Sequence, residues 1–378
     1  MRQPAHGGNL AWAAALAGCP PNAILDFSAS ISPLGPPNSA IAAIQSQIGN
    51  LKHYPDPNYS ELRLALSHFH QLPPEWILPG NGSAELLTLI GRELAQLAAT
   101  TLITPAFGDY YRTLRAYNAK VLECHLSLVS QCGLGGFPHE QLRTRRVINH
   151  WSLVLSEAEV LVIDKVQRTK DKGLLLNNPH NPTGKLFSRD SILPYLEQFA
   201  LVVVDEAFMD FVPPNEEQSL IPVVQEYANL VILRSLTKFY SLPGLRLGYA
   251  IAHPDCLAKW QLWRDPWPVN TLAAAAAIAA LQDTEFQQQT WAWLPPARNQ
   301  LFQGLAEIPG LQPQASAANF LLVESQESTS HLQQQLLKYH QILIRDCLSF
   351  KELGDRFFRV AVREESDNQR LLTALKES

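Results

Sequence analysis

The sequence predicts an α/β protein built on a mostly parallel sheet. Short apolar segments lack polar alternation, amphipathic segments separate them, and polar residues follow several of them directly. The apolar segments are Thr101–Thr104, Val160–Ile163, Leu174–Asn177, Leu201–Asp205, Val231–Arg234 and Leu247–Ala252. Continuous apolar strands are typical of sheets covered by helices on both faces. Because crossovers through the intervening helices are right-handed, these strands should form one mostly parallel sheet.

Composition excludes several classes of protein. The chain has 378 residues, of which 46% are hydrophobic and 17% charged, so it can bury a large core and is not a disordered chain. The net charge is -5 and no basic run is present, so we expect no nucleic-acid partner. The five cysteines are scattered without a C-x-x-C pair, which favours a reducing cytoplasm and predicts no metal site. No apolar run reaches the ~18 residues of a membrane span, so no membrane association is expected.

The N-terminal segment has two interpretations. Residues 10–18 are apolar and precede Cys19, which resembles a lipoprotein cleavage site. However, Arg2 is the only positive residue before them, and polar residues interrupt the segment. A short helix capped by Asn9 and ended by Gly18 explains the same residues, and we favour it.

The rest of the chain divides into two patterns. Helical periodicity fills the gaps between strands, as in Ala84–Leu97 and Ser188–Phe199, whereas the proline-rich stretches at 33–37 and 54–57 indicate loops. After Pro268, a helix beginning at Asn270 leads into a smaller α+β unit. Its predicted strands are Asn319–Glu324, Ile342–Arg345 and Phe357–Arg363, and its predicted helices are His331–Tyr339 and Asp367–Lys376. We therefore predict an N-terminal arm (1–35), a large domain (36–268) and a small domain (269–378). The topology of residues 126–172 stays open.

Polar residues gather at the predicted strand ends. Asn177–Gly184 follows one strand, Asp205-Glu206 ends the next, and Arg234–Lys238 ends a third. Singly, these segments are ordinary turn chemistry or helix caps. Together they predict a ligand site, because parallel α/β sheets bind ligands at the carboxyl ends of their strands.

The residue types indicate what this ligand is. A lysine in a dry site, here Lys238, forms a Schiff base with an aldehyde. A carboxylate such as Asp205 keeps a pyridine nitrogen protonated. Two hydroxyls, a guanidinium and a helix N-terminus suit a phosphate dianion; these groups are Ser235, Thr237, Arg246 and Gly80–Glu85. An aldehyde, a pyridine and a phosphate together describe pyridoxal 5′-phosphate.

The segments Ser235–Lys238 and Pro243–Gly248 resemble the lysine signature of class II aminotransferases, which have PLP-dependent transferase fold type I. The resemblance covers essentially the whole chain. It implies a large domain with a mostly parallel seven-stranded sheet, a smaller α+β domain and pyridoxal 5′-phosphate as cofactor.

The resemblance also implies residue roles. Lys238 and Asp205 would be catalytic, with Asp205 on the ring nitrogen, Asn181 on the phenolic oxygen and Phe107 stacked on the ring. The remaining cofactor-binding residues would be Gly82, Ser83, Ala84, Ser235, Thr237, Arg246 and, from the neighbouring subunit, Tyr54. A homodimer with shared active sites follows from that last contact.

Two branches of the family are similar to this chain: threonine-phosphate decarboxylases and histidinol-phosphate aminotransferases. His6-Gly7-Gly8-Asn9 and Phe208, which replaces a common tyrosine, favour the first branch. The substrate-binding residues implied are His6, Gly8, Ser32, Asn181, Arg345 and Arg359, although Ser30-Ile31-Ser32-Pro33 departs from the usual Asn-x-Asn-Pro. We expect His6 to close over the substrate phosphate, Arg345 to lie beside that phosphate and Arg359 to bind the carboxylate.

The predicted reaction is decarboxylation of L-threonine O-3-phosphate to (R)-1-aminopropan-2-ol O-phosphate and CO2, in cobalamin biosynthesis. The alternative is histidinol-phosphate transamination in histidine biosynthesis. Both need a phosphorylated small-molecule substrate, and they differ in which bond at Cα breaks, which no motif reports. A regulator built on the same fold would carry a DNA-binding extension, and a fold beginning near Asp26 leaves no room for one.

Overall fold

The computed structural model describes residues 7–126 and 170–378. Eleven α-helices lie in these ranges: α1 Leu10–Ala17, α2 Asn38–Gln47, α3 Ser60–His70, α4 Gly82–Leu94, α5 Gly108–Ala116, α6 Arg189–Leu196, α7 Pro254–Gln261, α8 Thr271–Gln282, α9 Thr284–Ala306, α10 Thr329–Gln335 and α11 Glu365–Glu377. The strands are β1 Leu25–Asp26, β2 Ile77–Asn81, β3 Ala99–Thr104, β4 Val121–His125, β5 Lys172–Asn177, β6 Leu201–Asp205, β7 Leu230–Ser235, β8 Leu247–Ala252, β9 Leu311–Pro313, β10 Phe320–Ser325, β11 Ile342–Leu343, β12 Arg345–Asp346 and β13 Phe357–Ala361.

A seven-stranded sheet forms the centre of the molecule, in the order β2-β8-β7-β6-β5-β3-β4. Strands β3 to β7 are parallel, and β8 is antiparallel to both of its neighbours. The predicted mostly parallel α/β sheet is therefore confirmed. The predicted strand Val160–Ile163 lies outside the described residues.

The sequence does not predict two strands of this sheet. Strand β2 contains Pro79, Gly80 and Asn81, which ordinarily indicate a turn. Strand β4 is polar at alternate positions, because it lies at an edge of the sheet with little of its surface buried. Continuous apolar character identifies central strands and misses such edge strands.

The C-terminal part forms a second, antiparallel sheet in the order β12-β13-β10-β9. One strand had been expected over Ile342–Arg345, and the structure corrects this to two. Strand β11 pairs in parallel with β1 of the N-terminal arm, whereas β12 pairs with β13. The arm is therefore tied to the C-terminal sheet, with Phe27 donating its N–H to the Leu343 carbonyl at 2.8 Å.

The N-terminal helix begins and ends as its cap residues predict. Asn9 Oδ1 accepts a hydrogen bond from the Trp12 N–H at 3.0 Å, and Gly18 ends the helix at φ 68°. Ala13 and Ala14 pack against Leu337. Within the described ranges, no helix has the length and apolar character needed to cross a membrane.

The alanine-rich helix α8 contributes small side chains to the hydrophobic core. Asn270 caps it by accepting a hydrogen bond from the Ala273 N–H at 2.8 Å. Its small side chains let it pack closely against α2 and α3, and Ala273, Ala276 and Ala280 are fully buried. Helix α9, which follows α8, contacts β9 and β10 of the second sheet.

Candidate active site

A cavity of about 440 Å³ lies at the carboxyl ends of the central parallel strands. The large sheet contributes residues after β5, β6 and β7, helix α4 contributes its first turn, and the small sheet contributes two arginines. Its position agrees with the binding rule for parallel α/β sheets. Of the predicted site residues, Ser83, Ala84, Phe107, Asn181, Asp205, Thr237, Lys238, Arg246, Arg345 and Arg359 line it.

Lys238 is half-buried in this cavity, three residues after strand β7. Its Nζ donates a hydrogen bond to Ser235 Oγ at 3.1 Å and lies 5.8 Å from the centre of the Phe208 ring. Burial lowers the pKa of Lys238, although the Asp205 carboxylate opposes this shift. Its amine therefore reaches the neutral, nucleophilic form at a lower pH than an exposed lysine does.

Asp205 ends strand β6 with both carboxylate oxygens held. Oδ2 accepts a hydrogen bond from the Tyr110 hydroxyl at 2.8 Å, and Oδ1 accepts one from the Ala207 N–H at 3.0 Å. Burial raises the pKa of Asp205, whereas Lys238 and the two hydrogen bonds oppose the rise. Such a buried and oriented carboxylate suits a cationic ring nitrogen.

An anion cradle lies at the N-terminus of α4. Gly82 adopts φ 73°, and a Cβ there would lie 2.7 Å from Arg246 Nη2, so glycine lets the guanidinium approach the helix end. Ser235 Oγ and Thr237 Oγ1 are 2.8 Å apart. Helix N–H groups, hydroxyls and a guanidinium are the donors that a phosphate dianion requires.

Arg345 and Arg359 lie directly opposite each other on β12 and β13. Opposite residues in an antiparallel pair share one face of the sheet, and both buried guanidinium groups line the cavity. Arg359 donates hydrogen bonds to Asn181 Oδ1 and, at 3.4 Å, to the Ser28 carbonyl. Burial, reinforced by Arg345, lowers the pKa of Arg359 to about 10. This wall of the cavity is therefore suited to anions.

The structure does not bring every predicted residue to the cavity wall. Tyr54 is 80% exposed and stacks on Trp267, with ring centres 4.5 Å apart. Ser32 is buried and does not line the cavity. Its N–H donates a hydrogen bond to the Lys238 carbonyl at 3.0 Å, so it holds the backbone of the lysine segment. Gly8 donates its N–H to Ser28 Oγ at 2.8 Å, while its neighbour Gly7 lines the cavity.

Two further predicted residues do not line the cavity. Gly82 lies next to Arg246, and Ser235 accepts a hydrogen bond from Lys238. Arg246 and Lys238 both line the cavity. His6 lies outside the described residues.

Sequence reasoning also missed residues that the structure places in the site. Tyr110 lies three residues after Phe107, and its hydrogen bond to Asp205 depends on tertiary packing. Asn177 lines the cavity beside Asp205, its register partner on the neighbouring strand. The polar ends of two adjacent parallel strands were the available signal for Asn177. Ser349 and Phe350 lie in a loop that gave none.

Behind the site, a buried charge cluster holds the ends of β6 and β7. Arg234 donates a hydrogen bond to Glu206 Oε2 at 3.0 Å and forms ion pairs with Asp210 and Glu217. Burial raises the pKa of Glu206 to about 7, opposed by the Arg234 charge. Since successive strand residues alternate between faces, Arg234 anchors the strand while Ser235 faces Lys238.

Comparison with known proteins agrees with this geometry. The family model "Aminotransferase class I and II" matches residues 22–375. A threonine-phosphate decarboxylase of Salmonella typhimurium is 36% identical, covering 98% of this chain and 96% of its own length. Histidinol-phosphate aminotransferase 1 of Mannheimia succiniciproducens is 30% identical, covering 93% of this chain and 89% of its own. A histidinol-phosphate aminotransferase of Sinorhizobium meliloti, solved with pyridoxal-5′-phosphate, superposes with TM-score 0.79 at 21% identity, covering 98% of this chain and 94% of its own.

The chain belongs to the aminotransferase class I and II family. Its members are pyridoxal-phosphate enzymes, and the residues described above fit that cofactor. Lys238 would meet the aldehyde, Asp205 the ring nitrogen, and the cradle around Gly82 and Arg246 the phosphate. The cofactor expected from the sequence is thus confirmed.

Proposed function

We propose that this enzyme decarboxylates L-threonine O-3-phosphate to (R)-1-aminopropan-2-ol O-phosphate and CO2, as a step of cobalamin biosynthesis. The observation that carries the proposal is the pair of buried arginines, Arg345 and Arg359, side by side on the cavity wall. A substrate with both a carboxylate and a phosphate supplies an anion for each. The similarity to the Salmonella decarboxylase over nearly the whole chain supports the same assignment.

When bound, pyridoxal phosphate supplies a carbonyl that condenses with the substrate amine and a protonated ring that accepts the electrons released at Cα. The chain's own residues bind and orient the substrate. Arg359 holds the carboxylate, Arg345 lies beside the phosphate, and Lys238 Nζ delivers a proton to Cα in place of the departing CO2.

Asn181 connects the two halves of this arrangement. Its Oδ1 accepts a hydrogen bond from Arg359, which leaves its Nδ2 to donate to an acceptor such as the phenolic oxygen of the cofactor. Phe208 brings no hydroxyl to this oxygen, so Asn181 would be its main donor. The residue that orients the substrate carboxylate therefore also orients the donor to the cofactor.

A substrate assay of the holoenzyme tests the proposal. L-Threonine O-3-phosphate alone should release CO2 without a keto-acid acceptor. Histidinol phosphate should be offered separately with 2-oxoglutarate. Glutamate formation from that mixture, without CO2 from threonine phosphate, would establish transamination instead.

We also propose a homodimer with shared active sites, in which Tyr54 reaches the partner subunit's cofactor phosphate. The exposed stack of Tyr54 on Trp267 supports this proposal, because an exposed aromatic pair suits a subunit interface. Mixing Tyr54→Ala and Lys238→Ala subunits tests it. Half of the mixed population is hybrid and has one intact site of two, so about one quarter of wild-type activity should return. No recovery after verified subunit exchange would refute shared sites.

A cytoplasmic location and the division into an arm (1–35), a large domain (36–268) and a small domain (269–378) complete the proposal. The four described cysteines are free thiols, which suits a reducing compartment. Fractionation of cells producing the protein tests the location, and limited proteolysis tests the boundaries.

A further inference from the structure

A second cavity, of about 140 Å³, lies outside the active site. Its walls come from the stretch Phe211–Glu216 after strand β6, from helix α9 and from residues 315–317. Most of these walls are apolar; Leu186, Phe211, Val212, Leu294, Phe302 and Leu321 contribute to them. The volume is below the ~300–1,000 Å³ typical of sites for drug-sized ligands, so a ligand of amino-acid size is appropriate.

A buried guanidinium group faces this apolar space. Arg298 is 6% exposed, and its Nη1 donates a single long hydrogen bond of 3.3 Å to the Ala318 carbonyl. In the described part of the chain, no carboxylate forms an ion pair with it. Burial lowers the pKa of Arg298 to about 10. A buried cation without an ion pair is costly, and an anionic group entering the cavity would reduce that cost.

Glu216 lines the same cavity and is half-buried. Its charge acts on Arg298 without forming an ion pair. The cavity thus has one positive and one negative group in a mostly apolar lining. A simple anion would satisfy Arg298 but be repelled by Glu216, whereas a zwitterion satisfies both.

We propose that this cavity is a binding site for a free apolar α-amino acid. Its carboxylate pairs with Arg298, its ammonium group pairs with Glu216, and its side chain packs against Phe211 and Leu294. Both charged groups of the protein then gain a partner, and the apolar lining is covered.

The cavity wall is joined to the active-site turn. Ala317 donates its N–H to the Gly184 carbonyl at 2.8 Å, and a Cβ on Gly184 would overlap Ser316. Gly184 lies three residues after Asn181. An occupant that orders residues 315–317 should therefore slow amide exchange of Ala317.

Calorimetry on the holoenzyme with N,N-dimethyl-L-leucine tests the proposal. This probe keeps both charges and the branched side chain, but it has no primary amine to condense with the cofactor. It should bind at least about tenfold more tightly than 4-methylpentanoate or N,N-dimethyl-3-methylbutylamine, which each carry one of the two charges. Equal affinity for the three probes, or no binding at millimolar concentration, would overturn the proposal.

Two substitutions locate the binding. Arg298→Met should weaken the zwitterion at least about tenfold, Arg298→Lys should retain part of the affinity, and both should leave basal turnover unchanged. Glu216→Gln should abolish the preference for the zwitterion over 4-methylpentanoate, and this variant with the probe series is decisive if Arg298→Met does not fold. Unchanged affinity in Glu216→Gln and in folded Arg298→Met, or displacement of the probe by threonine phosphate, would place it in the active site and refute the proposal.

Discussion

The cofactor side and the substrate side of the active site are built in different ways. The cofactor side consists of residues at the ends of adjacent parallel strands, with Asp205 and Lys238 close to their strands in sequence. The substrate side is assembled by pairing across a separate antiparallel sheet, where Arg345 meets Arg359. Asn181, on the cofactor side, accepts a hydrogen bond from Arg359 on the substrate side.

This difference indicates that single substitutions can affect cofactor binding and substrate selection separately. Residues of the cofactor side should control whether the cofactor binds and whether any chemistry occurs. Residues of the substrate side should control which anion is accepted, without affecting the cofactor. Each prediction below tests or refines that division.

The largest effect is expected at Lys238. Lys238→Ala should lower turnover by at least about 10⁴-fold, because it removes both the amine that meets the aldehyde and the proton carrier. Turnover is measured with threonine phosphate, and exposed Lys120→Ala serves as control. Borohydride reduction of the wild-type holoenzyme should label Lys238, and label on another lysine would disprove the assignment.

Asp205→Asn should weaken cofactor binding by about 3–5 kcal/mol, the cost of removing one partner of a buried ion pair. The affinity is measured by absorbance titration with pyridoxal phosphate, and exposed Asp190→Asn is the control. Near-normal affinity and turnover would mean that another group holds the ring nitrogen.

The arginine pair should affect the substrate alone. Arg359→Met should lower kcat/KM for both threonine phosphate and threonine, because both contain the carboxylate. The expected loss of binding free energy in the transition state is about 2–5 kcal/mol. Arg345→Met should lower kcat/KM for threonine phosphate only. Exposed Arg370→Met is the control.

Cofactor affinity should be unchanged in both arginine variants. If Arg359→Met loses the cofactor as well, the two sides are not separable, and the hydrogen bond from Arg359 to Asn181 is the contact to examine.

How much of the site was predictable follows the same division. Lys238, Asp205 and the anion cradle were predictable because strand ends, spacing and the lysine motif are all local in sequence. The roles of Arg345 and Arg359 came only from resemblance, since their register depends on pairing residues 14 positions apart in a sheet. Tyr110 was missed because its bond to Asp205 joins residues 95 positions apart.

The fold shows the same limit. Apolar strands such as β6 and β8 were predicted to the residue, because burial on both faces leaves an uninterrupted apolar run. Strand β2 was missed because Pro79 and Gly80 resemble a turn. The small strands β11 and β12 were joined into one, because no sequence signal shows that their partners lie in different sheets.

Tyr110→Phe should have a smaller effect on the cofactor side, about 1.5–3 kcal/mol, the value of a hydrogen bond to a charged group. The Tyr110 hydroxyl opposes the rise in the pKa of Asp205, so its removal raises that pKa further. As the pH is lowered, the variant should therefore lose cofactor affinity at a higher pH than the wild type does. Tyr111→Phe, which removes a hydrogen bond to Glu123 near the surface, is the control. An unshifted pH profile would show that Tyr110 only packs.

At the turn where the two sides meet, the expected effect is on stability. His180 is fully buried next to Asn181, its Nδ1 lies 2.8 Å from Thr183 Oγ1, and burial lowers its pKa from 6.5 to about 3. Below pH 6.5 the unfolded chain takes up a proton there, whereas the folded chain does so only near pH 3. Stability should therefore be full above pH 6.5 and fall by up to about 1.4 kcal/mol per pH unit towards pH 3.

His180→Asn should remove this component, so its unfolding free energy should fall less steeply between pH 6.5 and 5 than that of the wild type. Urea denaturation at several pH values measures both slopes, with exposed His68→Asn as control. Parallel slopes for His180→Asn and the wild type would mean that His180 is protonated in the folded protein, and the turn that connects Asn181 to Arg359 would then carry a buried charge.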